Sequence, residues 1–372
     1  MAMTSTVPWR NPKFRGLLLA MAASGLILGL WSGLIRAGLS LPAAGPISPA
    51  AHGVLMVSGF FGALISLERA VALDRAWAYA PAPLAAIGAV GSAAGVAGFE
   101  VITAAAALLL TIAGAVLWRI QRTTFMAVIG LGGLAWSIAT LLAVVGSPLP
   151  TQIPWLAAFL VSVIVGERLE LSRLAPPNRW KYPVFYSSYA LFVVGASMAS
   201  AGYGWRMFGA GLLALATWLA SFDIARRTVA MSGVTRFIAI CLLSGYGWMA
   251  VAGIWWLLGG NLIGTLGWDG ALHSLFVGFV LSMVFGHVHM VAPAALGISI
   301  RYRSWFFVHV AALHLSLLAR VIGDIAGDPA MRRIGAIGNG VALVLFLVAT
   351  ASSGRRRPEV PRHLQPEEKV TA

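Results

Sequence analysis

The fold is decided by apolar stretches such as residues 269–292, which read DGALHSLFVGFVLSMVFGHVHMVA. A bilayer core is about 30 Å thick, and a helix needs roughly 20 apolar residues to cross it. A stretch of this length and composition therefore predicts a membrane-spanning helix.

Similar apolar runs follow one another along the 372-residue chain, which is 59% hydrophobic and 10% charged and has a mean hydropathy of +0.86. Since roughly a quarter of the residues of a soluble domain are charged, soluble classes are excluded. The runs predict an all-α polytopic membrane bundle of about twelve transmembrane helices. The predicted spans lie near 14–35, 50–73, 78–97, 101–118, 124–146, 152–170, 183–202, 205–223, 236–259, 269–292, 304–326 and 331–352. The third and fourth are the weakest, and losing either would reverse the orientation of everything after it.

Loop charges predict the orientation of these spans. With the amino terminus inside, all but five of the 26 Lys and Arg residues fall in cytoplasmic segments. Four fall outside, namely Arg36, Arg206, Arg332 and Arg333, and Arg320 lies within a helix. Because cytoplasmic loops carry the excess of Lys and Arg, both termini are expected in the cytoplasm. The net charge of +14 is then a topology signal, so the lipid bilayer is the expected partner and nucleic acid is not.

Residues 1–353 are predicted to form one transmembrane domain. A six-plus-six repeat, about 1–175 and 180–353, is an alternative organisation, because the second and sixth spans both end in Glu-Arg. The segment 354–372 is rich in Arg, Pro and Glu and predicts a disordered basic cytoplasmic tail. The first run is too long for a cleaved signal peptide and is read as a retained helix. The single cysteine, Cys241, excludes an internal disulfide or thiolate cluster.

Two histidines lie at matched depth near the outer ends of their spans. Ionisable groups in hydrocarbon are costly and mark candidate sites. His52 opens the second span and His273 the tenth, each within about one helical turn of the outer end. Two neutral imidazoles on facing helices can bind haem iron axially, whereas a lone histidine often just bonds a neighbouring carbonyl. Arg320 is expected to form a salt bridge, either with Asp324 four residues further on or with a residue of another helix, and binding of haem propionates is the alternative.

A second group of histidines lies near the inner ends of the tenth and eleventh spans. His287, His289 and His309 are close in level and suit copper or another histidine-bound ion, or else lie at the headgroup level without a ligand. His287 and His289 project about 200° apart, so both reach one metal only if the helix end unwinds. His314 lies deeper and is expected to hydrogen-bond a neighbour, with metal binding as the less favoured alternative.

Two Glu-Arg pairs end the second and sixth spans on the inner side. Glu68-Arg69 and Glu167-Arg168 are expected to form ion pairs or to extend towards the headgroups. Proton uptake at Glu68 is the functional alternative. Gly-rich phosphate loops, paired CxxC and HExxH motifs and nucleophile elbows do not occur in a suitable context, which argues against hydrolase or nucleotide chemistry.

The segment 51–57, AHGVLMV, resembles the second-helix motif of haem–copper oxidase catalytic subunits, in which a histidine before glycine binds the low-spin haem. A second ligand of that haem comes from helix ten, where this chain has His273. The stretches 52–73, 271–287 and 314–320 together resemble the NnrS family of bacterial twelve-helix membrane proteins, which are regarded as haem- and copper-containing and linked to nitric oxide stress.

The NnrS resemblance implies haem of b type, copper as a second metal, nitric oxide or a redox ligand as the small-molecule partner, and a bacterial inner membrane. The chain departs from the oxidases in having no histidine in spans six or seven and in placing His287-Val288-His289 near the inner end. Oxygen reduction and proton pumping by the oxidase mechanism are therefore not expected.

The leading functional hypothesis is a haem-binding membrane protein of NnrS-like type. Haem iron with two histidine ligands has no open position, so electron transfer or sensing is expected, and catalysis needs a histidine to leave or a second metal. The alternative is a twelve-helix secondary transporter in which the intramembrane histidines and Arg320 form a proton or substrate path.

Overall fold

The structure is a computed structural model and describes residues 7–356. It is helical apart from one short two-stranded ladder, which confirms the all-α class. The helices are α1 (Pro12–Arg36), α2 (Pro49–Leu73), α3 (Pro81–Ala93), α4 (Phe99–Ile120), α5 (Thr124–Val144), α6 (Leu149–Leu171), α7 (Lys181–Ser197), α8 (Gly204–Phe222), α9 (Gly233–Gly259), α10 (Leu266–His273 continued by Ser274–Leu281 and Ser282–Leu296), α11 (Phe306–Ala326) and α12 (Pro329–Ser353).

A helix thus lies at each predicted position. Within residues 7–356, nine helices are long and apolar enough to cross a membrane, namely all except α3, α7 and α8. Those three are shorter or less apolar, so their crossing stays a prediction.

The helix ends follow local sequence. The Asn11 side chain accepts a hydrogen bond from the Lys13 amide at 2.9 Å, and Pro12 occupies the first turn of α1, where its missing N–H costs nothing. Asp328 caps α12 in the same way, ahead of Pro329. Gly297 ends α10 with φ of 67°, a left-handed conformation that glycine adopts without strain.

Glycines on one face of α1 bring it close to α2. A Cβ at Gly25 would lie 2.8 Å from the Gly59 backbone, and one at Gly29 would lie 2.8 Å from the Met56 sulfur. Small residues at four-residue spacing are the usual means of close helix packing in membranes. α10 packs against α1, α2, α6, α9 and α11, so α2 and α10 both lie inside the bundle.

Both α2 and α10 change to π-helix along part of their length. The π segments are Leu55–Gly62 in α2 and Ser274–Leu281 in α10, eight residues each. Each begins within three residues after a histidine of the predicted outer pair. π segments are rare and concentrate at functional sites.

A short antiparallel ladder joins β1 (Ile298–Ile300), which follows α10, to β2 (Gly354–Arg356), which follows α12. It lies at the end of the bundle that holds Glu68, called here the Glu68 end; the opposite end is called the His52 end. β2 comprises the first three residues of the predicted tail. The remainder of that tail, including His363, lies outside the described residues.

Candidate functional site

The structure brings His52 of α2 and His273 of α10 together. Their ring centroids are 6.4 Å apart and their ring planes differ by 10°. The matched depth inferred from sequence holds because each histidine lies near the start of its helix at the same end of the bundle. Two helices far apart in the chain therefore present two parallel imidazoles to each other.

The His52 ring is held by α1. Its Nδ1 lies 2.6 Å from the Gly29 carbonyl oxygen. A carbonyl only accepts hydrogen bonds, so Nδ1 carries the proton, and in the neutral ring Nε2 keeps its lone pair. The ring also packs on Gly33, where an added Cβ would lie 2.7 Å from Nδ1. The absence of a side chain at Gly33 thus makes room for this ring.

The His273 ring is held within α10. Its Nδ1 lies 2.9 Å from the Asp269 carbonyl oxygen and 3.3 Å from a carboxylate oxygen of the same residue. Both partners are acceptors, so Nδ1 again carries the proton and Nε2 keeps its lone pair. Such a bond at the second nitrogen fixes the tautomer and orientation of histidines that bind metals.

Arg320 of α11 binds this assembly rather than its own helix. Its Nε and Nη2 donate to the two Asp269 carboxylate oxygens at 2.8 and 2.9 Å. The expected salt bridge of Arg320 is therefore formed between helices, and its intrahelical candidate Asp324 is bound instead by Arg332 of α12 at 2.5 Å. Although Arg320 and Asp324 are four residues apart, the fork of the guanidinium matches the facing carboxylate on α10.

The centroid separation of His52 and His273 can be compared with that of two imidazoles on opposite sides of one metal ion. With a metal–nitrogen bond of about 2.0–2.1 Å and a ring centre about 1.1 Å beyond each nitrogen, two such rings on opposite sides of one ion lie roughly 6 Å apart. The observed centroid separation is 6.4 Å. Among the described residues neither Nε2 has a hydrogen-bond partner. The separation is thus close to that of two imidazoles on one ion, and haem ligation by His52 and His273 stays a prediction.

The inner histidines divide into two surroundings. The His287 Nδ1 donates to the Met283 carbonyl at 2.6 Å, and the ring lines a cavity. His289 points elsewhere, with its centroid 5.5 Å from that of Phe237. α10 stays helical through this region, so the roughly 200° divergence of the two side chains persists.

His289 and His309 share an aromatic enclosure. Both rings contact Phe237 and Phe306, and His309 also lies 4.9 Å from Phe285 between ring centroids. All four of their ring nitrogens are buried without a hydrogen-bond partner among the described residues. Buried polar atoms are normally satisfied, so these four call for a ligand or ion. Across residues 7–356 no group of three or more His, Cys, Asp or Glu side chains is arranged to hold a metal.

His314 forms a hydrogen bond with a neighbour, as expected. Its Nδ1 accepts from the Trp248 indole N–H at 2.9 Å. Because an indole nitrogen only donates, Nδ1 of His314 holds the lone pair and the proton of the neutral ring lies on Nε2. This tautomer is the opposite of that in His52, His273 and His287, and it leaves no free lone pair for a metal.

The two Glu-Arg pairs meet at the Glu68 end, which confirms the expected ion pairs. Arg69 contacts Glu68 at 2.9 Å and Glu167 at 2.6 Å. Arg168 is buried and binds Asp223, also buried, through two hydrogen bonds of 2.7 and 3.1 Å. Two carboxylates therefore share one guanidinium, while the second guanidinium is matched by its own carboxylate.

Sequence reasoning missed several residues that shape these sites. Asp269 and Asp223 were not singled out, although Asp269 stands four residues before His273, at a spacing that places both on one helix face. The close approach of Gly33 to His52 has no sequence signal beyond the repeated glycines of α1.

The fold defines the class of protein, an all-helical bundle of apolar, membrane-spanning helices. Within that class the chain belongs to the family described as Domain of unknown function (DUF8744), whose model matches residues 15–355. No curated protein matches the chain.

Proposed function

We propose that this protein is a haem-binding integral membrane protein of NnrS-like type, with His52 and His273 as the axial ligands of a b-type haem. The observation that carries the proposal is the pair of parallel imidazoles 6.4 Å apart, each with Nδ1 bound to a backbone carbonyl and Nε2 free. The proposal includes twelve spans, both termini in the cytoplasm, and a bacterial inner membrane. The loop charges support that orientation.

Bound haem would supply one-electron transfer, or a site for nitric oxide if one axial position opened. The residues of this chain have separate roles. The Gly29 and Asp269 carbonyls orient the two imidazoles, and Arg320 holds Asp269 through Nε and Nη2. The remaining Nη1 of Arg320 is the donor that we assign to a haem propionate.

Copper is the second metal of the proposal, at His289 and His309. The four buried ring nitrogens without partners support it, because imidazole is a suitable copper ligand. His287 lies in different surroundings and is not included in this two-histidine site.

An optical spectrum of the purified chain tests the haem. We expect a Soret band that shifts on reduction with dithionite, with stoichiometric iron. His52→Ala and His273→Ala should each lose the band, while His314→Ala, whose lone pair is taken by Trp248, should keep it. A colourless protein without stoichiometric iron or copper would refute the proposal.

That negative result would favour the secondary transporter. In that case the cavity among α1, α2, α6, α10 and α12, with Glu68, Glu167 and His287 on its wall, would be the substrate path.

A further inference from the structure

A large cavity lies among α1, α2, α6, α10 and α12, on the Glu68 side of the two π segments. Its volume is about 510 Å³, within the range of ligand sites, and its walls are mostly apolar. Ile298 and Ile300 of β1 contribute to its lining. Leu347 and Ala351 of α12 line it and are also exposed on the surface of the bundle. The cavity therefore opens sideways along α12, towards the region that lipid would occupy.

Its polar side chains are two carboxylates, one imidazole and the Thr350 hydroxyl. Glu68, Glu167 and His287 all line the cavity. The His287 Nδ1–H is committed to the Met283 carbonyl, so its free Nε2 is an acceptor. The carboxylates are also acceptors, and both contact the single guanidinium of Arg69.

These features define the chemistry of an occupant. Apolar walls that open sideways suit a lipid-soluble molecule. The free His287 Nε2 and two carboxylates that share one guanidinium disfavour a carboxylate or phosphate head and favour a head that donates hydrogen bonds. An imidazole nitrogen and carboxylate oxygens line the same cavity, and these two kinds of acceptor suit a head group with two hydroxyls.

We propose that this cavity binds a lipid-soluble quinol. One ring hydroxyl donates to His287 Nε2, the other donates to a carboxylate oxygen of Glu68 or Glu167, and the apolar tail leaves along α12. This site is distinct from the haem pair, since His287 lies 14 residues beyond His273, more than about three helical turns further along α10.

Calorimetric titration of the full chain, in nanodiscs of quinone-free phosphatidylcholine, tests the site with decyl-ubiquinol as the probe. We expect saturable binding at one site per chain. The dimethyl ether of the same quinol keeps the apolar body but cannot donate, so we expect it to bind at least about ten-fold more weakly. This comparison needs no variant of the protein, and equal affinity for the two compounds would overturn the proposal.

Variants then locate the site. His287→Ala and the conservative Glu68→Gln should each weaken decyl-ubiquinol binding about ten-fold or more. His314→Ala is the matched control, since this histidine of α11 lies outside the cavity lining and bonds Trp248, so binding should be unchanged. If both site variants bind as the native chain does, the assigned hydroxyl contacts do not exist.

The inference stands apart from the haem proposal. His52→Ala, which should lose haem, should bind decyl-ubiquinol with unchanged affinity. A photoreactive azidoquinone should label peptides of α2, α10 or α12, and labelling confined to other helices would overturn the site. A colourless chain that binds quinol would refute the haem alone, and a haem-containing chain that does not bind it would refute the quinol site alone.

Discussion

Three partly buried histidines share one arrangement at the level of the residue. His52, His273 and His287 each donate from Nδ1 to a backbone carbonyl and so present Nε2 as an acceptor. His314 has the opposite arrangement because a tryptophan donates to it. All four residues are histidine in the sequence. Only the partner of Nδ1 distinguishes the candidate ligands from His314, which bonds a neighbouring tryptophan.

The contact between the His52 ring and Gly33 gives the first prediction, which concerns α1. Gly33→Ala places a methyl group about where the His52 ring now lies, since the added Cβ would be 2.7 Å from Nδ1. We expect this variant to displace the ring and to reduce haem content on purification, measured as the ratio of Soret to protein absorbance. Gly16→Ala is the control on the same helix, because its Cβ would have nothing within 4 Å. Equal haem content in the two variants would show that Gly33 does not position His52.

The aromatic enclosure gives a second prediction. After loading with Cu(I) under reducing conditions and desalting, the native chain should retain copper, measured by mass spectrometry of the metal. His309→Ala should lose it, because one of the two ligands is removed. His287→Ala should retain the copper, because the His287 ring lines the separate cavity that holds Glu68 and Glu167. Copper retained by His309→Ala would place the metal elsewhere.

At the scale of helices, depth was predictable and facing partners were not. A helix rises by a fixed 1.5 Å per residue, so the level of His52 relative to His273 followed from their distance to the span ends. The partner of Arg320 did not follow, because Asp269 lies on another helix and sequence does not specify which faces meet. The π segments of α2 and α10 also leave no recognisable pattern, since apolar residues surround both.

The link between α10 and α11 gives the third prediction. Arg320→Gln leaves the Asp269 carboxylate without its bidentate partner in a partly buried position, so we expect a loss of about 3 kcal/mol or more in the free energy of unfolding. The double variant Asp269→Asn with Arg320→Gln removes both charges and should recover much of that loss. Thermal unfolding in detergent, followed by tryptophan fluorescence, measures the two midpoints. If the loss in the double variant equals the sum of the losses in Arg320→Gln and Asp269→Asn alone, the two residues are not coupled.

At the scale of the whole molecule, the sequence predicts where the helices lie but not how many of them cross the membrane. A helix is found at every position where the apolar runs predict one, because run length sets whether a helix fits a bilayer. Nine helices among the described residues are long and apolar enough to cross it. α3 is the critical element, since 13 residues of helix extend only about 20 Å.

The fourth prediction concerns this element. If α3 crosses, aided by the turn Ala76–Tyr79 that precedes it, Arg119 and Arg122 after it are cytoplasmic, as the charge rule requires. In a Cys241→Ala background, single cysteines at exposed Ser40, Gln121 and Val145 report the topology. A membrane-impermeant maleimide applied to intact spheroplasts should label Ser40→Cys and Val145→Cys, and Gln121→Cys only after permeabilisation. Ser40→Cys is the reference, because it is outside whether or not α3 crosses. If α3 lies within the bundle without crossing, the labels at positions 121 and 145 exchange. That exchange would also place two arginines outside, so the charge rule and the short helix are tested by the same pair of cysteines.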